Sequence, residues 1–382
     1  MGNKRFFLIC LFLLILIIST HPYYIWSVNT KFVFILELLL IPLWNTKCVP
    51  RRATSFILFI LFYFYAAFYQ YIDVNIFGVI ATLLPLIILF IDEKYWNSIY
   101  RYFFWIYSVT LIPSLIVYFG VCWLGIDLPH STLIPFNELK DYDYFAYPFL
   151  VVSDMPLELQ NIRFHAYYDE PGVVGTISGV LLVINGFKLR DWKNWPLLIS
   201  GVFSFSLFFY ILSFGYLFIF GSSKAKLLLA IIVIVLMAFL VVDDGPFSSL
   251  ILSRLEFDNN GEWAGDNRTT DRFGIFWKKF INSDYVWFGY GKGYAEIIDS
   301  EGASYKHLIV DHGLFLFVIY IMAYVYYYFS FEISIKYKLL LVVILLAMLF
   351  QRPFIFSILY VSLLTFSAPL LQSSTKKCDK II

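Results

Sequence analysis

The sequence predicts an all-α, polytopic membrane protein with about twelve spans and two large loops outside the membrane. Of the 382 residues, 60% are hydrophobic, 21% are aromatic and only 14% are charged. This composition leaves too little polar surface to cover a soluble globule of this length. Long apolar runs recur along the chain, and basic residues cluster in several of the short segments between them.

The charge and the cysteines exclude some classes of function. The formal net charge is +1, and no segment has the dense basic stripe that nucleic-acid binding requires. The four cysteines lie far apart, so their spacing predicts neither a metal site nor a disulfide framework. The glycine-rich GYGKG lacks the GK[ST] ending of a phosphate-binding loop, and no acidic pair on a loop requires a divalent metal. We therefore expect no nucleic-acid partner, no metal and no cofactor.

The first apolar run begins directly after MGNKR. A cleaved signal peptide would end at a site of small residues, but this run continues into HPYYIW and is soon followed by a second apolar run. We expect an uncleaved first helix.

The apolar runs are each close to the length that a helix needs to cross a bilayer, or somewhat shorter. The predicted spans lie near 6–21, 29–45, 54–72, 74–92, 102–125, 171–188, 196–211, 212–222, 226–243, 309–331, 338–351 and 353–371.

The basic residues decide how the ambiguous stretch 196–222 is divided, because Lys and Arg favour the cytoplasmic side. Five clusters agree with a cytoplasmic N-terminus only if two passes, or a re-entrant pair turning near Ser213 to Gly215, lie between Lys193 and Lys224. The clusters are Lys47–Arg51–Arg52, Lys188–Arg190–Lys193, Lys224–Lys226, Lys336–Lys338 and Lys376–Lys377–Lys380.

This topology divides the chain into five segments. They are N-terminal helices (1–125), a first large periplasmic loop (126–170), central helices (171–243), a second large periplasmic loop (244–308), and C-terminal helices with a cytoplasmic tail (309–382).

The second loop carries the richest concentration of Arg, Asp, Glu, Gly and His. Charge-dependent chemistry in a membrane protein must lie where water and a polar substrate can reach it, so we interpret this loop as half of an active site.

The first loop ends in RFHAYYDEPG, with Arg163, His165, Asp169 and Glu170 crowded before Pro171. Asp169 and Glu170 are either functional or simply acidic residues that interact with the positive end of the entering helix. Arg163 is either a solvated or lipid-headgroup arginine or, beside the helix N-terminus, part of an anion site.

The second loop has a succession of its own, which runs from Arg272 through Trp277 and the turn Gly289–Gly293 to Ser304–His307, followed by Gly313 in the next span. Together with RFHAYYDEPG in the first loop, this succession resembles the loops of the O-antigen polymerases, which are related to the O-antigen ligases. Ala166 stands where the resemblance implies a glycine. Either Ser304 or His307 matches the polar residue that opens the following span.

The resemblance implies a GT-C-like enzyme of the bacterial inner membrane with its active site on the periplasmic side. Its substrate would be an undecaprenyl-pyrophosphate-linked oligosaccharide, and its partners the lipid bilayer, a chain-length regulator and a flippase. The enzyme would transfer the growing glycan to a sugar hydroxyl of an incoming lipid-linked repeat unit.

The leaving pyrophosphate needs fixed positive charge, and planar guanidinium groups bind phosphate in two places at once. We expect Arg163 and Arg272, supported by Arg268, to bind it. Further substrate-binding candidates are His165, Tyr290 and Lys292. Surface pairing of Arg268 and Arg272 with nearby aspartates is the alternative.

The acceptor hydroxyl needs a general base, and imidazole titrates closest to working pH. We expect His307 in this role, with His312 second and Glu170 as a carboxylate alternative. An interfacial anchor is the other interpretation of either histidine. Gly289, Gly291 and Gly293 predict a turn with positive φ.

Two other functions remain open. A ligase would use the same donor and transfer the glycan to lipid A core. A flippase or other transporter would place more ionisable residues inside its helices than Glu37, the clearest one in the first half of this chain.

Overall fold

The computed structural model describes residues 3–26, 30–41, 52–69, 76–91, 93–134, 143–153, 163–223, 226, 269–299 and 304–378. The described chain is mostly helical. It forms two compact units. Unit 1 comprises Met1–Ser19, Asn29–Arg101 and Asn267–Ile382, and unit 2 comprises Thr20–Val28 and Tyr102–Asp266.

Most of the α-helices follow the predicted hydrophobic runs, whereas those at Asp271–Phe280 and Tyr294–Ile298 lie in the predicted second loop. In chain order the α-helices are α1 (Asn3–Ile18), α2 (Thr30–Leu38), α3 (Ala53–Phe68), α4 (Ile76–Leu83), α5 (Pro85–Leu89), α6 (Glu93–Tyr118), α7 (Pro171–Ile184), α8 (Asn194–Phe203), α9 (Leu207–Phe220), α10 (Asp271–Phe280), α11 (Tyr294–Ile298), α12 (Tyr305–Phe329), α13 (Ile335–Gln351) and α14 (Ile358–Cys378). One π-helix (Phe119–Trp123) continues α6, and short 3₁₀ turns lie at Tyr23–Ile25 and Asp284–Val286.

Two helical segments, Tyr95–Trp123 and Tyr305–Phe329, are long and apolar enough to cross a membrane. The shorter apolar helices are Phe6–Ile18, Ala53–Phe68, Ile76–Leu89, Pro171–Ile184, Leu207–Phe220 and Ile358–Gln372. Each predicted span on the described residues contains helix, whereas 227–243 lies outside them. The count of twelve spans and the five topological segments stay predictions.

The boundary within 196–222 corrects the prediction of a turn near Ser213 to Gly215. The break lies at 204–206, between the end of α8 and the start of α9. Phe205 has φ 47°, outside the right-handed helical region, so the helix cannot continue through it. Gly215 lies inside α9, where its backbone continues the helix.

Unit 1 is built around the packing of α3 against α12. The ring centroids of Phe59 and Tyr324 lie 4.8 Å apart, and those of Phe62 and Tyr320 lie 4.7 Å apart. Ser55 Oγ donates to the carbonyl oxygen of Ala323 at 2.8 Å. Aromatic rings therefore fill this core, and a buried hydroxyl joins the two helices.

Unit 2 packs α7 against α8 and α9. A Cβ atom at Gly175 would meet the side chains of Ser204 and Ser206, and one at Gly201 would meet the ring of Phe209. Small residues thus allow these backbones to approach closely, as is common between membrane helices.

A small antiparallel sheet departs from the all-α prediction, which otherwise holds for most of the chain. Its strands are β1 (Ser131–Leu133), β2 (Tyr144–Tyr147) and β3 (Leu150–Ser153), in the order β1-β2-β3. Tyr144 pairs with Ser153 across β2 and β3. The turn between these strands has only two residues, and β3 is buried throughout, which favours a hairpin.

Candidate functional site

The helix α10 positions the polar part of the second loop. Thr270 Oγ1 accepts from the amide of Phe273 at 3.4 Å and caps the start of this helix. Phe273 and Phe280 are buried in a cluster with Ala295, Ile309 and Val310. Arg272 lies on the exposed side of the same helix.

The glycine turn has the positive φ angles that the sequence predicts. Gly289, Gly291 and Gly293 have φ values of 76°, 105° and 88°. The amide of Gly291 donates to the carbonyl of Asp311 at 2.9 Å, and a Cβ atom at Gly289 would lie 2.6 Å from that same carbonyl oxygen. The turn is therefore bound closely to the backbone of α12.

A kink at Gly313 divides α12. Its φ and ψ are 81° and 160°, which are not helical values. The carbonyl of Trp287 accepts from the amide of Phe315 at 3.1 Å, beside the kink. The segment Tyr305–His312 thus forms a short helical piece of its own, and it carries both candidate histidines.

His307 and Asp299 form the most functionally suggestive pair in unit 1. His307 Nε2 lies 3.0 Å from Asp299 Oδ2. The Asp299 side chain is fully buried, and that of His307 is 14% exposed. The ring of His307 also packs on Phe273, with 4.4 Å between the centroids.

This pairing has a direct consequence for the imidazole. A carboxylate only accepts, so Nε2 carries the proton in the hydrogen bond and the neutral ring presents Nδ1 as its basic nitrogen. The carboxylate also orients the ring and stabilises it once protonated. Sequence reasoning selected His307 and missed Asp299, whose only local signal is an acid at the end of a short helix.

His312, the second candidate base, lies in a different environment. It is 3% exposed, and its ring packs edge-on to Phe356 at 5.8 Å. Within the described part of the chain, its Nδ1 has no hydrogen-bond partner. Because a base must touch its substrate, the partly exposed His307 fits the role better than the buried His312.

Lys292 and Tyr290 contact other residues of unit 1. Lys292 Nζ donates to Thr82 Oγ1 and lies 5.5 Å from the Phe356 ring centroid. Burial lowers the pKa of the Lys292 ammonium, and the Asp311 carboxylate opposes this effect. The binding of substrate by Lys292 and Tyr290 stays a prediction.

Tyr290 lies in a stack of three tyrosines. Its ring is stacked with Tyr285 and with Tyr294, at centroid distances of 4.4 and 4.3 Å. Stacked neighbours therefore occupy the faces of the Tyr290 ring, whereas Tyr285, at the end of the stack, is 55% exposed.

The first-loop candidates lie in unit 2. Arg163 is half-buried, and its Nε donates to the carbonyl of Ser204 at 3.2 Å. His165 is 2% exposed and faces the Tyr144 ring at 6.1 Å. Ala166 has φ 51°, a conformation that favours glycine.

Glu170 occupies the N-cap position of α7, directly before Pro171. Its side chain makes no capping hydrogen bond, and its carbonyl accepts from the amide of Val173 at 3.1 Å. It is half-buried. The sequence is thus right that a helix begins at Pro171, and both interpretations of the acidic side chain stay open.

The predicted grouping of arginines extends beyond what one unit contains. Arg268 lies outside the described residues, while Arg163 and Arg272 belong to different units. Their joint binding of a pyrophosphate stays a prediction. Among the described residues, no group of three or more His, Cys, Asp or Glu side chains could hold a metal ion.

Comparisons with protein-family models, with curated proteins and with solved structures find no match to this chain. The resemblance described above therefore depends on the loop motifs and the pattern of hydrophobic runs.

Proposed function

We propose that this chain is a membrane-embedded glycosyltransferase of the O-antigen polymerase type. It transfers a growing glycan from undecaprenyl pyrophosphate to a sugar hydroxyl of an incoming lipid-linked repeat unit. The site faces the periplasm, at the inner membrane of a bacterium. The observation that carries the proposal is the 3.0 Å contact between His307 Nε2 and Asp299 Oδ2 in the polar second loop.

In this reaction His307 is the general base. Its Nδ1 takes the proton of the acceptor hydroxyl while that oxygen forms a bond to the anomeric carbon of the donor. The bond from this carbon to the pyrophosphate oxygen breaks, and undecaprenyl pyrophosphate leaves with the bonding electrons. Asp299 holds the ring in one tautomer and stabilises the imidazolium that forms.

Arg272 supplies positive charge on the same loop. Its guanidinium is exposed on α10, one residue before Phe273, whose ring packs on His307. A cation placed here stabilises the negative charge that develops on the leaving pyrophosphate. Binding of the same pyrophosphate by Arg163 stays a prediction from the sequence.

The proposal is tested by comparing the surface polysaccharide of a deletion strain before and after complementation. The strain is complemented with wild type or with variants expressed at the same level. Deletion should leave lipid A core with a single repeat unit. His307→Ala should lower polymer formation by about 10²–10⁴-fold, the usual contribution of a general base, and Asp299→Asn should also lower it strongly. The matched controls are His130→Ala and Asp284→Asn, at an exposed histidine and an exposed aspartate.

The other outcomes separate the alternatives. If deletion leaves lipid A core without glycan while lipid-linked polymer accumulates, the chain is a ligase. An unchanged ladder after deletion would refute a role in polymer assembly and favour a transporter. Wild-type ladders from both His307→Ala and Asp299→Asn would refute the assignment of the base.

A further inference from the structure

The short helix α11 is bound at both ends by side chains of the helical piece Tyr305–His312. At its start, Asp311 Oδ2 accepts from the amide of Gly293 at 3.0 Å, and Oδ1 accepts from the amide of Ala295 at 2.7 Å. Just past its other end, Asp299 accepts from His307 at 3.0 Å. The two attachments share one supporting helix.

The two attachment points on α12 also share one face. His307 and Asp311 are four residues apart, which places both side chains on the same side of the helix. Within α11, the amide of Asp299 donates to the carbonyl of Ala295 at 2.9 Å, so one turn of backbone links the two attachments. A displacement of Ala295 would therefore displace Asp299, whose Oδ2 also accepts from the amide of Thr270 at 3.4 Å.

Such a helix needs external support. Five residues are far too few for a helix to be stable alone in water, and the first amides of any helix lack partners within it. The residue before α11, Gly293, is in the left-handed region and makes no side-chain cap. The Asp311 carboxylate supplies the two acceptors that this end of the helix lacks.

The Asp311 carboxylate can be altered without detaching the glycine turn. The turn is also held by backbone bonds, from the amide of Gly291 to the carbonyl of Asp311 and from the amide of Lys292 to the carbonyl of Tyr69. The charged neighbours of Asp311 are Lys292 and Glu296. A change of its carboxylate to an amide thus acts on α11 and removes the negative charge near Lys292, while these backbone bonds stay in place.

We infer that Asp311 is a positioning residue for the proposed base. By fixing the start of α11 it fixes Asp299 at the other end, and Asp299 in turn orients His307. This inference rests on the proposed function, since it assigns Asp311 an effect on the rate through Asp299 and His307. Asp311 itself needs no contact with the substrate.

Asp311→Asn tests this assignment because it keeps the shape of the side chain. The amide keeps one acceptor oxygen, and its NH₂ group opposes one of the two backbone amides. The full-length protein in nanodiscs would be assayed with lipid-linked repeat units extracted from the deletion strain. The rates to be compared are those of wild type, Asp311→Asn, Asp299→Asn and the double variant, with Asp284→Asn as control.

We expect Asp311→Asn to lower the rate at saturating substrate by about tenfold in the wild-type background, with little change in the half-saturating concentration. In the Asp299→Asn background the same change should lower the rate by less than about twofold, because residues that act through one another are strongly non-additive. An equal loss in both backgrounds would overturn the inference, and so would a wild-type rate for Asp311→Asn.

Hydrogen exchange gives a second measurement that does not depend on catalysis. Asp311→Asn should speed exchange in a peptide covering 293–299 and leave one covering 314–329 unchanged. Equal protection of 293–299 in both proteins would overturn the inference. If exchange responds as expected while Asp299→Asn and His307→Ala keep wild-type rates, it is the proposed function that fails.

Discussion

Three glycines, two in the second loop and one at the kink of α12, distinguish the effect of backbone strain from that of a steric clash. Gly274 lies inside α10 in open space, and Gly293 has φ 88° but no atom within 4 Å of a Cβ added there. Gly313 has φ 81° and ψ 160°, and an added Cβ would lie 2.5 Å from the Cα of Phe288. Alanine at Gly274 adds neither strain nor a clash. Alanine at Gly293 adds backbone strain alone, and alanine at Gly313 adds backbone strain together with a clash against the backbone.

The expected changes in the free energy of unfolding follow from these environments. Gly274→Ala should stabilise the protein by about 0.5–1 kcal/mol, because alanine favours a helix interior. Gly293→Ala should cost about 1–2 kcal/mol for the left-handed backbone. Gly313→Ala should cost more than this, since its φ and ψ are almost exclusive to glycine and cost about 1–3 kcal/mol before any clash.

Thermal unfolding of the three variants in nanodiscs measures this order. We expect the highest Tm for Gly274→Ala, followed by wild type and then Gly293→Ala. Gly313→Ala should have the lowest Tm. A Tm for Gly313→Ala at or above that of Gly293→Ala would refute the close approach of the glycine turn to the kink. A Tm for Gly293→Ala at or above wild type would refute the strain.

Three further changes test other parts of the structure. Ala166→Gly should raise Tm, because it relieves a φ of 51° worth about 1 kcal/mol. Burial lowers the pKa of Lys292 below the usual 10.5 despite Asp311, so the unfolded chain holds this proton to higher pH than the folded protein. The free energy of unfolding should therefore rise with pH between the two pKa values, and Lys292→Met should remove this rise in pH-dependent unfolding curves. Ser55→Ala should lower the free energy of unfolding by about 0.5–1 kcal/mol through loss of its bond to α12, whereas Ser213→Ala should be nearly neutral, since its buried hydroxyl makes no hydrogen bond within the described chain.

The hydrophobic runs predicted most of the described helices, because a long apolar run is enough to indicate a helix, but they did not predict α10 and α11 in the polar second loop. The break at 204–206 was placed wrongly, as the sequence marks Gly215 as the more obvious breaker. At Gly215 the helix simply continues, whereas the left-handed Phe205 ends it. The packing of α7 on the flanking serines imposes the conformation of Phe205, which overrides the local preference for helix. No local sequence pattern predicts this break.

The strands were missed for a related reason. Residues 150–153 read as a short apolar segment, which periodicity cannot separate from helix. Their burial comes partly from the segment after Arg163, since the amide of Val151 donates to the carbonyl of Ala166 at 2.7 Å. A contact between distant parts of the loop thus supports the sheet, in addition to the two-residue turn between β2 and β3.

Only part of the candidate site could likewise be predicted from the sequence. His307 could be selected from side-chain chemistry and from its place before an apolar helix. Its partner could not, because the contact with Asp299 exists only when α11 folds back along α12. The same fold gives Asp311 a role that the sequence does not indicate, since an acid beside a histidine in an apolar helix has no predictable partner.

Ala166 differs from the expected motif in residue type, but its backbone conformation is one that suits glycine. In the resemblance to O-antigen polymerases, this position departs from the expected glycine. Its φ of 51° is nevertheless in the region where glycine is free of strain, and its carbonyl binds β3. Alanine is the smallest residue that can be forced into this region, at a cost of about 1–2 kcal/mol that surrounding contacts must offset. Glycine would adopt this conformation without strain, and the alanine stays a departure from the motif that the resemblance implies.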